Sequence, residues 1–372
     1  MKTKLSLWLA IALMMFPQIV ETIYSPALTN ISRGFSVSAA QASQTLSLYF
    51  FAFAIGIVVW GRMCDVFGRR PAIIAGLLLY SLACLLALWV EHFELLLAAR
   101  MLSAFGAAAG SVGTQTIMRD SYHGEALARV FSIMGIALAA SPAIGMVGGS
   151  VLNYFAGYRA VFTGLAVLAA ILTGWSIMQL PETRPATVTK VALFDTARMM
   201  LKDIFIWRDA FLIASFNICL FSYYQLAPFR FAQFGLSTEH FGYTGLLLAF
   251  GVGLGSVINR QLLKKKWPSG KLIFLAAWLT LCSGVCVHLL ESSWLFILPM
   301  LGIVIAYGIA IPNILAPALR CYTDRLGTAG ALLGLFYYSL LAGGLALAGW
   351  SQTLGVTLIS CGLLTVILSR RK

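Results

Sequence analysis

Charged residues are scarce in this sequence. Only 10% of its 372 residues are charged and 60% are hydrophobic, whereas soluble domains carry roughly 25% charged residues. A water-soluble protein of this composition would have to expose much of its apolar surface to solvent. The composition therefore excludes an ordinary soluble protein and predicts one whose apolar surface faces lipid. The net charge of +13 lies in short clusters between apolar runs, so it does not indicate nucleic-acid binding.

Side chains suited to catalysis or metal binding are also few. The four histidines stand apart from one another, and most of the seven cysteines lie inside apolar runs. Cys282 and Cys286 could share one helix face, but no His or Cys nearby completes a metal site. The nearest match to a nucleotide-binding loop, at 251–255, falls inside an apolar run. We therefore predict no metal, no cofactor, no ATP-driven step and no enzymatic activity.

Long apolar runs dominate what is present. A membrane-spanning helix needs about 20 mostly apolar residues, and the sequence has twelve candidate runs, the last of which is short. The strict alternation of β-barrel strands is absent. The first run has a basic start, as a signal peptide has, but no small-residue cleavage site follows directly, so we predict an uncleaved span. The runs cover residues 5–27, 44–61, 72–90, 94–117, 128–151, 159–180, 209–230, 242–262, 271–290, 293–316, 328–348 and 351–368.

The basic residues are distributed unevenly between the predicted loops. The side that holds both ends of a twelve-span chain carries 22 of the 26 Lys and Arg residues, so the positive-inside rule places both termini in the cytoplasm. The longest break between apolar runs separates six spans from six. We therefore predict an all-α integral membrane protein of twelve transmembrane helices in two six-helix bundles. The predicted parts are an N-terminal bundle at 1–180, a cytoplasmic linker at 181–208 and a C-terminal bundle at 209–372.

The loop between the second and third spans is rich in glycine and arginine. Gly61 and Gly68 permit a tight turn, Arg69 and Arg70 follow, and Asp65 is the only acid of the loop. Asp65 can accept hydrogen bonds from a helix N-terminus or from an arginine. The loop is either a positive-inside anchor or a latch between helices that breaks and re-forms during alternating access.

This loop resembles the first signature of the major facilitator superfamily, in which the same five positions carry Gly, Asp, Gly and two basic residues. Val66 stands where that signature usually has a further basic residue, so the latch would lack one ionic contact. The resemblance implies the major facilitator fold, with two six-helix bundles and a substrate site near the midplane between them.

The fifth predicted span contains a proline followed by glycines. Pro142 frees a backbone carbonyl and bends the helix, and Gly145, Gly148 and Gly149 form a close-packing face. The pattern resembles the signature typical of the antiporter branch of the superfamily, although Ser141 replaces the usual glycine. The resemblance implies export rather than uptake, and the alternative is an ordinary kinked span.

Two charged residues fall inside apolar runs, where a charge is costly and indicates function. Glu21, the only carboxylate predicted within the membrane, lies near the outer end of the first span. Arg100 lies roughly 10 Å below the outer surface. We predict that both take part in proton coupling, and their similar depth means that they could pair if their helices are neighbours. The alternatives are that Glu21 is a helix-end residue in the outer headgroup region and that Arg100 snorkels to those headgroups.

The residues around Glu21 resemble one particular branch of the superfamily. An acid followed by Tyr-x-Pro-x-Leu at 24–28 resembles the bicyclomycin/chloramphenicol-resistance (Bcr/CflA) branch, as do Arg-Asp at 119–120 and Leu-Pro-Glu-Thr at 180–183. The branch usually has aspartate where Glu21 stands. The resemblance covers nearly the whole chain. It implies export of varied drugs in exchange for protons, with the proton gradient as the energy source.

Polar residues of the first and seventh spans are candidates for the substrate cavity, because both spans would line it in this fold. Tyr and Asn side chains at an apolar cavity can orient a ligand, but they could instead satisfy one another between helices. Arg230 could pair with Glu21, attract an acidic substrate or lie exposed at the helix mouth. The candidates are Tyr24, Asn217, Tyr223, Tyr224, Gln225 and Arg230.

The predicted function is secondary active export of small amphipathic molecules, drugs or metabolites, in exchange for protons by alternating access. The alternative is a proton symporter or uniporter that takes up a small polar or acidic solute, for which Arg230 is the only indication. The expected partners are a small-molecule substrate, protons and the lipid bilayer, without nucleic acid. We expect a monomer in the bacterial inner membrane.

Overall fold

The computed structural model describes residues 6–185 and 193–370, and every regular element in these two ranges is helical. The predicted all-α class is confirmed. Short 3₁₀ helices lie at Ser25–Ala27, Trp294–Phe296 and Arg320–Arg325. The α-helices are α1 (Leu7–Thr22), α2 (Leu28–Gly34), α3 (Ala39–Phe67), α4 (Arg69–Trp89), α5 (Phe93–Ser121), α6 (Gly124–Gln179), α7 (Leu193–Lys202), α8 (Ile204–Gln233), α9 (Thr238–Lys264), α10 (Ser269–Leu290), α11 (Ile297–Ala318), α12 (Leu326–Ser351) and α13 (Leu354–Ser369).

Ten helical segments of the described ranges are long and apolar enough to cross a membrane. One of them, α6, is 56 residues long and is interrupted at Ala156 and Gly157, whose backbone dihedral angles are not helical. Gly157 has a φ of 68°, which glycine adopts at little cost, so α6 is two spans joined by a short break. The apolar helix α13 is shorter, at 16 residues. The structure therefore corresponds to the twelve predicted spans: nine segments each form one span, α6 forms two, and α13 is the twelfth.

The first span is longer than predicted. A 3₁₀ turn at Ser25–Ala27 joins α1 to α2, so the span covers Leu7–Gly34, 28 residues, instead of ending near residue 27. Pro26 stands at the start of this turn and does not end the span. Glu21 therefore lies near the middle of the first span rather than near its outer end.

The predicted linker at 181–208 contains a short helix. Residues 186–192 lie outside the described ranges, α7 follows at Leu193–Lys202, and α8 begins at Ile204. The buried face of α7 packs against α8 and α12. The division of the chain into two bundles at this linker stays a prediction.

Two pairs of helices join the segments before and after the linker. In the first pair, α3 runs alongside α12, where the ring centroids of Phe53 and Tyr338 are 5.0 Å apart. The Gln44 amide of α3 also donates to the Ala346 carbonyl of α12 at 3.1 Å. In the second pair, the first part of α6 packs against α9 through Ser150. A cavity lies between these pairs.

Candidate functional site

The cavity has a volume of about 360 Å³ and is lined by residues of α1, α6, α8, α9, α11 and α12. Its walls are mostly apolar and aromatic, with Phe221 and Tyr224 from α8, Tyr307 from α11, and Tyr337 and Tyr338 from α12. Ligand sites typically combine such walls with a small number of placed polar groups. The size and lining therefore fit a small amphipathic molecule.

A few polar side chains interrupt the apolar walls. Asn217 is held in place by two hydrogen bonds: its amide donates to the Ile213 carbonyl at 2.8 Å, and its Oδ1 accepts from the Tyr307 hydroxyl at 3.3 Å. Gln18 and Ser256 also line the cavity. These groups can orient a ligand within otherwise apolar surroundings.

Two of the six predicted cavity residues, Asn217 and Tyr224, line this cavity, and the other four do not. Tyr223 follows Asn217 on α8, but its hydroxyl donates to Thr244 Oγ1 on α9 at 2.7 Å. This arrangement corresponds to the alternative in which polar side chains satisfy one another between helices. Tyr24 packs against Arg100 in the segment before the linker.

Arg230 lies at the end of α8, outside the cavity. Its guanidinium forms an ion pair with Glu291, with 2.8 Å between nitrogen and oxygen, and also donates to the Gln352 carbonyl at 3.3 Å. The pair of Arg230 with Glu21 that the sequence allowed is not formed. Arg230 instead ties the end of α8 to the connections that follow α10 and α12.

Gln225 joins α8 to α3 and α12, next to the cavity residue Tyr224. Its side chain is fully buried, and its amide donates to the Ser43 carbonyl of α3 at 2.8 Å and to the Leu345 carbonyl of α12 at 3.1 Å. Beside it, the Ser25 hydroxyl donates to the Tyr224 carbonyl. We call these contacts of Gln225, Ser25, Ser43, Tyr224 and Leu345 the Gln225 seal. By the predicted orientation the seal lies at the outer end.

Glu21 is the only charged residue among the described residues that line the cavity. Its relative exposure is 2%, and its Oε1 accepts no hydrogen bond from the described part of the chain. No basic residue of that part lies within ion-pair distance of it. An unpaired carboxyl group in a membrane-spanning segment is costly and marks a functional position.

Arg100 lies on α5 and has a relative exposure of 1%, so it does not snorkel to the surface. Its guanidinium carbon lies 4.0 Å from the ring centroid of Tyr24 and 4.5 Å from that of Tyr49. Its three guanidinium nitrogens make no hydrogen bond within the described ranges. Two cation–π contacts therefore hold this charge.

The predicted pair of Glu21 and Arg100 is not formed in this structure. Tyr24 follows Glu21 by three residues, about one helical turn further along the span, and Arg100 stacks at the level of Tyr24. Arg100 therefore lies beyond ion-pair distance of Glu21. Tyr49 was not among the predicted site residues, because its sequence context does not distinguish it from a core aromatic residue.

The predicted latch connects α3, α4 and α5. Arg69 Nε donates to Asp120 Oδ2 at 2.9 Å, and its Nη1 lies 3.4 Å from Asp65 Oδ1. The Thr183 hydroxyl donates to the same Asp120 oxygen at 3.0 Å. Asp65 is thus part of the latch, but Asp120 makes the shorter contact. In the sequence, Asp120 and Thr183 stood out only as parts of motifs that resemble the Bcr/CflA branch.

Glu182 supplies a cap to the N-terminus of α4. Its carboxylate accepts hydrogen bonds from the backbone amides of Arg69 at 3.0 Å and Arg70 at 3.1 Å, where the helix terminus favours an anion. Gly68, the preceding residue, has a φ of 112°, and a β-carbon on it would overlap this carboxylate. The sequence offered Asp65 for a helix-terminus role, which the structure gives to Glu182.

Pro142 lines the cavity, and the glycines after it bring α6 close to α1. A β-carbon on Gly145 would lie 2.8 Å from the Ile19 carbonyl oxygen, and one on Gly149 would overlap the backbone of the first span. The β-carbon position of Gly148 has no neighbour within 4 Å. Two of the three glycines therefore form a close-packing face against α1.

Comparisons with known proteins extend over most of the chain. A family model described as Major Facilitator Superfamily matches residues 7–347. The chain is 29% identical over 357 residues to an uncharacterized transporter of Rickettsia felis, covering 91% of this chain and 88% of that protein. It is 28% identical over 327 residues to the chloramphenicol resistance protein of Pseudomonas aeruginosa, covering 83% and 75%. It is 23% identical over 378 residues to the bicyclomycin resistance protein homolog of Haemophilus influenzae, covering 95% and 92%.

A likeness in fold extends to solved structures. The crystal structure of a D-xylose–proton symporter superposes with a TM-score of 0.76 at 14% identity, covering 98% of this chain and 95% of that one. At this identity the likeness concerns the fold alone. The resemblance drawn from the 61–70 loop and from the motifs of the Bcr/CflA branch is confirmed by the family match and by the resistance-protein relatives.

Proposed function

Since this chain belongs to the Major Facilitator Superfamily, we propose that it exports small amphipathic drugs or metabolites in exchange for protons. Transport follows alternating access, in which the cavity opens to one side of the membrane at a time. The proposed location is the bacterial inner membrane, with both termini in the cytoplasm as the distribution of basic residues predicts. The proton gradient supplies the energy.

The observation that carries this proposal is the position of Glu21. It is the only carboxyl group among the described residues that line the cavity, and its Oε1 has no hydrogen-bond partner there. The group that would bind the proton is therefore part of the wall of the cavity that would bind the substrate. Protonation removes the charge from the lining, so proton binding and substrate binding affect each other, as exchange requires.

The lining and the relatives support the substrate class and the direction. Aromatic walls from α8, α11 and α12 with few polar groups suit amphipathic molecules. Two relatives carry resistance to chloramphenicol or bicyclomycin in their names. The glycine face after Pro142 belongs to the pattern that resembles the antiporter branch. These observations support export.

The latch supports alternating access. It ties the adjoining ends of α3, α4 and α5 together through Arg69 and Asp120, so these helices can move as one unit when the cavity changes the side to which it opens. The uptake alternative rested on Arg230, which pairs with Glu291 outside the cavity. No observation therefore favours uptake over export.

The proposal can be tested in everted membrane vesicles energised by respiration. Uptake of chloramphenicol and of a fluorescent amphipathic dye is measured with and without a protonophore, for the wild type, Glu21→Gln and Glu21→Asp. Glu94→Gln is the control, because Glu94 lies exposed in the first turn of α5.

We expect the protonophore and Glu21→Gln each to abolish transport at normal protein levels. Glu21→Asp retains a carboxyl group and should retain coupling, and Glu94→Gln should behave as the wild type. Transport by Glu21→Gln with an unchanged pH dependence would remove Glu21 from the coupling step.

A further inference from the structure

The two tyrosines around Arg100 form a site of their own. Tyr24 comes from the first span, Tyr49 from α3 and Arg100 from α5, so three helices meet at one charge. Both rings are fully buried, and Arg100 has a relative exposure of 1%. The guanidinium carbon lies over both rings, 4.0 Å from the Tyr24 centroid and 4.5 Å from the Tyr49 centroid. We call Tyr24, Tyr49 and Arg100 the arginine clamp.

The clamp holds the positive charge of Arg100, which has no acidic side chain in contact with it in the described ranges. The guanidinium nitrogens of Arg100 make no hydrogen bond and no ion pair within the described ranges. A buried charge in that condition is strongly unfavourable. An aromatic face attracts a cation through its quadrupole, and the attraction grows when both groups are removed from water. The two ring faces are therefore what keeps Arg100 where it is.

The clamp lies close enough to Glu21 along the first span to affect the protonation of this residue. Arg100 is held at the level of Tyr24, about one helical turn from Glu21, and Glu21 keeps an oxygen without a hydrogen-bond partner. If the guanidinium left the rings, Glu21 would be available to receive it, because Glu21 is the only acid of the first span, Leu7–Gly34, and lies about one helical turn from Tyr24. An ion pair would favour the charged form of the carboxyl group.

We propose that Tyr49 and Tyr24 are positioning residues for proton coupling: their ring faces hold the Arg100 cation away from Glu21, which leaves Glu21 able to bind a proton. This inference rests on the proposed function, in which Glu21 is the proton site. When the clamp is weakened, Arg100 pairs with Glu21, and Glu21 then takes up a proton only at lower pH. Tyr49 is a new assignment, since it neither lines the cavity nor belongs to any motif of the sequence.

Other groups near Glu21 are tyrosines, which stay uncharged over the pH range of the test. The lining parts of α6 and α9 contribute no titratable side chain. The cavity lining beside Glu21 contributes Tyr224 of α8, Tyr307 of α11, and Tyr337 and Tyr338 of α12, and the clamp contributes Tyr24 of the first span, Tyr49 of α3 and Arg100 of α5.

The test weakens the attraction between the ring at position 49 and the Arg100 cation with little change in the shape of the ring. Tyr49→Phe removes a hydroxyl that has no hydrogen-bond partner in the described structure. Phenylalanines with one, two and three ring fluorines are then placed at position 49 by nonsense suppression, because fluorine withdraws charge from the ring face and weakens its attraction for a cation. The protonation of Glu21 is followed in purified full-length protein by the infrared carbonyl band that disappears in Glu21→Gln.

We expect Tyr49→Phe to keep the midpoint pH of this band, and each added fluorine to move the midpoint to lower pH, by about one pH unit or more for the full series. The shift should vanish in an Arg100→Gln background, because no cation is then released. As a control, fluorinated rings at Tyr80, which is equally buried but makes no ring contact with Arg100, should leave the midpoint unchanged.

A constant midpoint across the series, or a shift that persists without Arg100, would overturn the assignment. The infrared band needs no transported substrate, so this result is separate from a failure of the proposed function. Transport that is insensitive to a protonophore and to Glu21→Gln would reject the proton-driven exporter, whereas a constant midpoint beside normal coupling would reject the clamp alone.

Discussion

The carboxylate of Glu182 occupies the space that a β-carbon on Gly68 would need. The same carboxylate accepts hydrogen bonds from the first two backbone amides of α4. Gly68 also has a φ of 112°, a region that other residues rarely adopt. Glycine is therefore favoured at this position by its backbone conformation and by the carboxylate of Glu182, which follows α6 in the chain.

Replacing Gly68 by alanine should disrupt the latch. Gly68→Ala places a side chain at an unfavourable φ and against the Glu182 carboxylate, and we expect it to cost roughly 1–3 kcal/mol. The melting temperature of the purified protein and its transport activity should both fall. Gly61→Ala is the matched control, because its β-carbon would lie at 3.6 Å from the Val112 side chain, an ordinary contact. Equal effects of the two substitutions would contradict this explanation.

The two acids that contact Arg69 should differ in importance. The Arg69 side chain is 6% exposed, and the side chain of Asp120, at 2.9 Å, is 19% exposed, whereas that of Asp65, at 3.4 Å, is 41% exposed. Asp120→Asn should cost about 1.5–3 kcal/mol, the range for a charge-assisted hydrogen bond. Asp65→Asn removes a mostly exposed pair and should cost about 0–1 kcal/mol. Thermal unfolding of both variants measures the difference, and a larger loss for Asp65→Asn would contradict this ranking.

The sequence predicted the helical spans well because lipid imposes a simple rule of about 20 apolar residues for each span. The latch loop was also recognisable, since its glycines and charges are neighbours in the chain. Glu182 and Asp120 could not be assigned to it, because they meet Arg69 only after α5 and α6 have packed. The Glu21–Arg100 pair that the sequence allowed is absent from this structure, because spacing along two helices does not fix their relative height, and Tyr24 occupies the level of Arg100.

Gln225 should control how readily the cavity opens at the Gln225 seal. Gln225→Leu removes the hydrogen bond to the Ser43 carbonyl, which joins the segments before and after the linker, a loss of roughly 1 kcal/mol. That loss shifts the equilibrium about fivefold toward the state in which this end is open. Spin labels at the exposed residues Ser36, which follows α2, and Gln233, which ends α8, would report a larger population of long distances.

The control for Gln225→Leu is Tyr223→Phe. Tyr223 is also fully buried on α8, but its hydroxyl bonds to Thr244 of α9, in the same part of the chain, rather than across the seal. Tyr223→Phe should therefore leave the distance distribution of the two spin labels unchanged. If both variants lengthen the distances, the seal is not what holds this end closed.

The glycines after Pro142 should respond differently to the addition of one methyl group. A β-carbon on Gly145 would lie 2.8 Å from the Ile19 carbonyl oxygen and against Thr22, whereas that of Gly148 would have no neighbour within 4 Å. Gly145→Ala must push α6 away from α1, and overpacking of this kind costs about 1–3 kcal/mol. Gly148→Ala should be tolerated, because alanine is a better helix former. Melting temperatures and proton-driven export should fall for Gly145→Ala alone. A matching loss in Gly148→Ala would mean that helix flexibility, rather than contact with α1, explains the glycines.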